Sequence, residues 1–150
     1  MKLRTQGWDE QDVDAFLQAT LVPVRLAVLA ADGTPRLASL WYEWDGEVLW
    51  CASQRDSAVV RMLSARATCA FEISTETPPY RGVRGTARAT LDDAGGAARL
   101  KRLLDRYLTD RNASLRDWLL SRSDGDVAIR LEPIEGFAWD FSGRMVPERD

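Results

Sequence analysis

The stretch Val24–Ser53, VRLAVLAADGTPRLASLWYEWDGEVLWCAS, decides the fold. It holds three compact apolar runs, Val24–Ala30, Pro35–Trp44 and Glu47–Ser53, with Arg25 the only charge in the first. Two Asp-Gly dipeptides, Asp32-Gly33 and Asp45-Gly46, separate them. Glycine adopts the positive φ that tight hairpin turns need, and Asp is a favoured neighbour there. The spacing therefore predicts three antiparallel strands in a meander.

Working outward, Val13, Phe16, Leu17 and Leu21 recur at helical spacing. They predict a helix over Asp9–Thr20, opened by acidic residues and stopped by Pro23. Beyond the meander, Ser57–Ala65 reads as a short helix and Arg66–Ser74 as a fourth strand. Thr75–Pro79 reads as a loop, since Pro78-Pro79 resists regular structure. Tyr80–Leu91 alternates, with Val83, Gly85, Ala87 and Ala89 on one face and Arg84, Thr86, Arg88 and Thr90 on the other, as a fifth strand should. Helices over Ala97–Leu108 and Ser114–Ser121 follow, then strands over Val127–Leu131 and Phe137–Phe141. Strands come in blocks rather than alternating with helices, which excludes a doubly wound sheet. The expected fold is mainly β with helices (α+β): one domain over residues 1–150, an antiparallel barrel with peripheral helices. Closing the sheet would remove its edges.

Composition narrows the chemistry. The 150 residues carry a formal charge of −3 and a pI near 5.1, so there is no basic footprint for nucleic acid. No apolar run approaches the roughly 20 residues of a membrane helix. The start, MKLRTQGW, lacks the apolar core of a secretory signal, so the expected compartment is the cytoplasm. There is no histidine, which removes histidine zinc sites, Ser-His-Asp triads and histidine bases together. Cys51 and Cys69 sit in apolar runs and read as buried thiols, with a disulfide or reactive pair as the alternative. Any redox chemistry would then come from a bound cofactor. Lys2 and Lys101 are the only lysines, so an anion site would be built from Arg, Ser, Thr and backbone amides.

Several segments share a likeness. They are Leu29–Arg36 (LAADGTPR), Leu40–Gly46 (LWYEWDG) with Leu49-Trp50, Pro78–Ala87 (PPYRGVRGTA), Val127–Pro133 (VAIRLEP) and Trp139–Gly143 (WDFSG). In this order they resemble the FMN-binding split β-barrel of the pyridoxamine 5′-phosphate oxidase-like and flavin/deazaflavin oxidoreductase superfamily, over residues 12–146. The resemblance implies a homodimer with cofactor sites in grooves between protomers. The cofactor would be FMN or the deazaflavin coenzyme F420, and the activity hydride transfer to or from a small organic substrate. The ring would lie against the backbone of Ser39, Leu40 and Trp41. The phosphate would sit where the third strand meets the short helix.

At that junction many family members carry a Ser or Thr, then a pattern near Arg-Gly-Ser-Ala-Lys, then two residues and Asn-Leu. Ser53, Arg55, Ser57, Ala58 and Leu63 match; Asp56, Val59 and Met62 depart from it. Valine cannot donate to a phosphate. Two like charges about 4 Å apart repel by about 4 kcal/mol at an effective dielectric of about 20, so Asp56 opposes an anion. Anion binding would rest on Arg55 and Arg61 with the Ser53 and Ser57 hydroxyls. From the residues alone, Asp56 or Ser57 serves equally as a helix cap. Val59, Val60 and Leu63 would then be a packing face, and Arg55 and Arg61 solvated. Arg81 and Arg84 are either exposed strand residues or reach the dimer groove. Of the six tryptophans, Trp41 and Trp139 are the candidate ring stackers; core or interface packing is the other reading. The alternative function is a non-catalytic split barrel binding a flavin or tetrapyrrole over a degenerate phosphate site. Pyridoxamine-phosphate oxidase activity itself is not expected, since no C-terminal substrate-binding extension is identifiable.

Overall fold

A computed structural model describes residues 1–145. The elements are β1 (Lys2–Gln6), α1 (Glu10–Ala19), β2 (Val24–Leu29), β3 (Pro35–Leu40), β4 (Glu43–Trp44), β5 (Leu49–Gln54), α2 (Ala58–Ala65), β6 (Thr68–Ser74), β7 (Arg81–Asp92), α3 (Gly96–Tyr107), α4 (Ala113–Leu120) and β8 (Asp126–Asp140). One sheet runs β3-β2-β6-β7-β8-β5-β4, and β1 joins it alongside β8. The hydrogen-bonded path ends on β3 and β4 rather than meeting itself, so the barrel is split and the helices cover it.

The two Asp-Gly hairpins form as the sequence predicts, but the three-stranded meander does not: β3, the main part of the second run, does not pair with the third run, and β3 and β4 stand at opposite ends of the sheet path. β2 pairs antiparallel with β3, β4 with β5, and the turn glycines Gly33 and Gly46 take φ of 82° and 99°. Asp32 closes the first turn by accepting from the Thr34 amide at 2.9 Å. The segment Pro35–Trp44 is not one strand, however. It breaks at Trp41-Tyr42, where Tyr42 turns fully into the core and its hydroxyl donates to the Leu17 carbonyl at 2.9 Å.

Two further expectations are corrected. Val127–Leu131 and Phe137–Phe141 are not separate strands: Asp126–Asp140 is one strand of 15 residues. Pro133 and Gly136 read as breakers, but the β7 register shifts between Thr86 and Ala87, leaving Ile134 without an opposite number. A proline that has no ladder hydrogen bond to donate is tolerated at such a bulge. β1 is an eighth strand, lying parallel to β8 from Lys2↔Glu135 to Gln6↔Trp139.

Val13 and Leu17 of α1 and Val59, Val60 and Leu63 of α2 fill the barrel with Leu26, Phe71, Ile73, Val83, Ile129 and Leu131. Cys51 and Cys69 are free and buried in the same core, and burial raises both thiols' pKa, Cys69's to about 11. α3 is fastened from both ends of its outer face. Arg106 donates to the carbonyls of Gln18 (2.8 Å) and Thr20 (2.7 Å), capping the end of α1. Glu43 accepts from Arg99 (2.6 Å) and from Arg102 Nε (2.8 Å). No helix among the described residues is long and apolar enough to cross a membrane.

Candidate functional site

The residues named from the sequence fall into three places. Ser39, Leu40, Trp41 and Ser53 come together. They line a cavity of about 600 Å³ between the ends of β3 and β5 and the helices α3 and α4. Leu100 and Leu103 of α3 and Leu115 and Leu119 of α4 supply its apolar wall; Gln54, Arg122 and Asp126 supply its polar groups. Trp41 is half-buried and stacks on Tyr107, with centroids 5.2 Å apart and planes at 12°. The size and the mostly apolar lining with a few polar groups are those of a small-molecule site.

Asp126 stands out in that wall. It is 5 % exposed, and its Oδ2 is buried with no hydrogen-bond partner. Burial pushes its carboxyl above the usual range; Gln54 and Arg122 offset this in part. Sequence reading missed Asp126 because it follows Asp124-Gly125 and looks like one more turn residue. It also missed Arg122 and the leucine wall, since no pattern tells a helix face that lines a cavity from one that fills a core.

Arg55, Ser57 and Arg61 form the second place, at the β5–α2 junction. Ser57 is the cap of α2: its Oγ accepts from the Val60 amide at 3.4 Å and from the Ser53 hydroxyl at 3.0 Å. Arg55 Nε pairs with Asp93 Oδ1 at 2.9 Å, and Arg61 donates to the Asp56 backbone carbonyl. Both arginines line a separate cavity of about 430 Å³. Val59, at the family's lysine position, is buried in the core beside Leu63. An anion here would have to displace Asp93 from Arg55 and tolerate the exposed Asp56 carboxylate.

Arg81, Arg84 and Trp139 form the third place, away from the β3–β5 cavity. Trp139 is buried, stacks on Phe137 (6.1 Å, 14°) and covers Gly82. The Arg84 guanidinium lies 5.4 Å from the Trp139 ring centre and 5.6 Å from that of Phe137. Arg81 is exposed and pairs in register with Asp140. Arg84 also borders a groove of about 730 Å³ on the sheet face turned away from the core, with Lys2, Arg4, Arg25, Leu37 and Phe137. Leu37 there is 81 % exposed.

The curled antiparallel sheet with its peripheral helices is the split β-barrel of the pyridoxamine 5′-phosphate oxidase-like superfamily. No protein-family model matches the sequence, and no curated protein matches it. Solved structures do. The conserved hypothetical protein Rv2991 from Mycobacterium tuberculosis superposes with a TM-score of 0.73 at 19 % identity, covering 100 % of this chain and 96 % of that one. An F420 reductase gives 0.65 at 25 % identity, over 80 % of this chain and 92 % of that one. A FAD-binding protein from Mesorhizobium loti gives 0.63 at 18 % identity, over 86 % and 92 %.

Proposed function

We propose that the chain binds a flavin-type cofactor, FMN or F420, in the β3–β5 cavity and acts as an oxidoreductase on a small organic substrate. The observation that carries this is the convergence of Ser39–Trp41 with Ser53 around one largely apolar cavity. The fold shared with an F420 reductase and a FAD-binding protein supports it. The residues present fit the ring of such a cofactor. Leucines and Trp41 offer flat apolar contact, and Ser39, Ser53, Gln54 and Arg122 offer polar groups at its edge. Bound there, the cofactor would supply hydride chemistry; the chain's part is to hold the ring and exclude water from it. Arg55, Arg61, Ser53 and Ser57 are the groups available to a phosphate tail; Arg84 borders the outer groove proposed below for a second protomer, and Trp139 is buried beneath it.

The reading includes a homodimer in the cytoplasm. The outer groove exposes Leu37 between arginines and Glu72 and Glu135, a mixed surface that a second copy can match. Light scattering on the pure protein tests it: a dimer is expected, and Leu37→Asp should shift it to monomer.

A second reading, a split barrel that holds a flavin or tetrapyrrole without turnover, is favoured by the junction, where Arg55 is already paired with Asp93. Tryptophan fluorescence during titration with FMN, riboflavin and F420 separates the cases. Saturable quenching in the micromolar range is expected. Reduced cofactor that is then oxidised faster by small organic acceptors supports the oxidoreductase. Binding without turnover supports the second reading, and absence of quenching by all three removes both.

A further inference from the structure

α4 differs from the other α-helices in what it buries. α1 buries Val13 and Leu17, α2 buries Val59, Val60 and Leu63, and α3 buries Leu100, Leu103 and Leu104. α4 buries no residue. It is not short of apolar side chains, since Leu115, Trp118, Leu119 and Leu120 all belong to it. Leu115, Trp118 and Leu119, continued by Arg122 in the turn that follows, recur at the spacing of one helix face. Leu115, Leu119 and Arg122 line the β3–β5 cavity. The face is thus turned to open volume rather than to packed atoms, and Leu115 stays 42 % and Trp118 53 % exposed.

The helix is fastened near its ends. In its first turn Arg116 pairs with Asp105 of α3, a bond at the surface and worth little. Past its last turn Gln54 donates to the Arg122 carbonyl at 3.2 Å, and the Arg55 amide to the Gly125 carbonyl at 2.8 Å. Between these tethers no fully buried side chain anchors it. A segment held in this way opens locally at low cost.

We propose that α4 is the lid of the β3–β5 cavity and closes on a flat aromatic ring, with Trp118 covering the ring from the helix side. The proposal rests on the cofactor site proposed above and adds the wall that moves and the residue that closes it. The lining decides the occupant. Leu40 and Trp41 on the strand side and Leu115 and Leu119 on the helix side form two apolar walls, which suit a thin apolar body. A ring between them gives the leucines the contact that the chain itself does not, and the area removed from water holds the lid down. Trp118 is the one member of the face outside the present lining, and closure brings it in. Arg122, whose guanidinium lies 4.7 Å from the Trp118 ring centre, travels with it.

Amide hydrogen exchange and tryptophan quenching with lumiflavin and 5-deazalumiflavin test it. These rings lack a phosphate, so the β5–α2 junction does not enter. Wild type should bind at least one of them. In the free protein the amides of α4 should exchange faster than those of α1, which Val13 and Leu17 anchor. A saturating ring should slow α4 by about tenfold or more and leave α1 unchanged. Trp118→Ala should weaken ring binding by about tenfold, and Trp118→Phe by much less. Neither variant should lower the melting temperature of the free protein, because Trp118 is exposed.

Exchange in α4 that a bound ring leaves unchanged overturns the lid while leaving the cofactor site standing. So does a Trp118→Ala variant that binds the ring as wild type does. Free α4 as protected as α1 would make the helix a fixed wall, and the lid fails again. If wild type binds neither ring, the lid and the cofactor site fail together.

Discussion

Two regions meet at the end of β5, and they differ in what folding has left over. On the side of Ser53 and Gln54 lies a cavity with an apolar wall and a few polar groups. A residue away, at Arg55, the donors are already engaged: Arg55 with Asp93, Arg61 with the Asp56 backbone carbonyl, and the Ser57 hydroxyl with the Val60 amide and Ser53. Unused volume with a mostly apolar lining marks the first as a place for a ligand. The second resembles a ligand motif in sequence, yet its side chains hold the junction together. A motif names residue types; the structure shows whether their bonding capacity is still free.

The sharpest way to break this contrast is to fill the cavity. Ala52 lines it from β5 and is half-buried, so Ala52→Phe places a ring where the ligand would lie. Flavin and deazaflavin binding should fall by about 100-fold or more, since a desolvated ring contact is replaced by overlap. An unchanged titration would move the binding site elsewhere. Next in size is the anchor of the helical wall. Arg102 first, then Arg99, holds the Glu43 carboxyl below the usual range. Its folded pKa is depressed, so its stabilisation is present above the ordinary value of 4.5 and is lost as pH falls through the folded one. Glu43→Gln should cost about 1–2 kcal/mol at pH 7, discounted because Arg102 is well exposed. The gap from wild type should close as pH drops below the carboxylate range, a trend that denaturant melts at several pH values would show. The tryptophans offer a spectroscopic version. Trp41→Phe should remove much of the ligand-induced quenching, and Trp139→Phe should change it less, because only Trp41 lines the cavity.

The same contrast explains what could be read from the sequence. The two hairpins were legible because their Asp-Gly turns are local; the expected pairing of β3 with the third run is not made, because the chain leaves β3 at Trp41-Tyr42 for the other end of the sheet path. α1, α2, α3 and α4 each fall within a residue or so of the spans their spacing gave, with Ser57 rather than Asp56 as the cap of α2. Illegible were features fixed by distant partners. Lys2–Gln6 is polar and becomes a strand only because β8 offers it an edge. Pro133 interrupts β8 in sequence but not in space, since the bulge lies in its pairing with β7. The site divides the same way. The likeness singled out Ser39–Trp41 and Ser53, which do share a cavity, together with Arg84 and Trp139, which stand apart at another face. Asp126 carries no signal at all, because burial without a partner is a property of the assembled wall.

The smallest effect tests whether the junction can still serve an anion. Asp56 is exposed beside the start of α2, where a helix terminus otherwise favours negative charge. Asp56→Asn keeps the shape and removes the repulsion, which among exposed groups is about 1 kcal/mol. FMN should then bind about fivefold more tightly, while riboflavin, the same ring without the phosphate, should not change. Arg55→Ala is the reciprocal: it loses an exposed pair with Asp93, so stability should stay within about 0.5 kcal/mol. If FMN affinity also stays level in both variants, the phosphate never reaches this junction and the ring cavity alone carries binding. If FMN responds and riboflavin does not, Arg55 exchanges Asp93 for phosphate, and the two regions at the end of β5 act as two halves of one site.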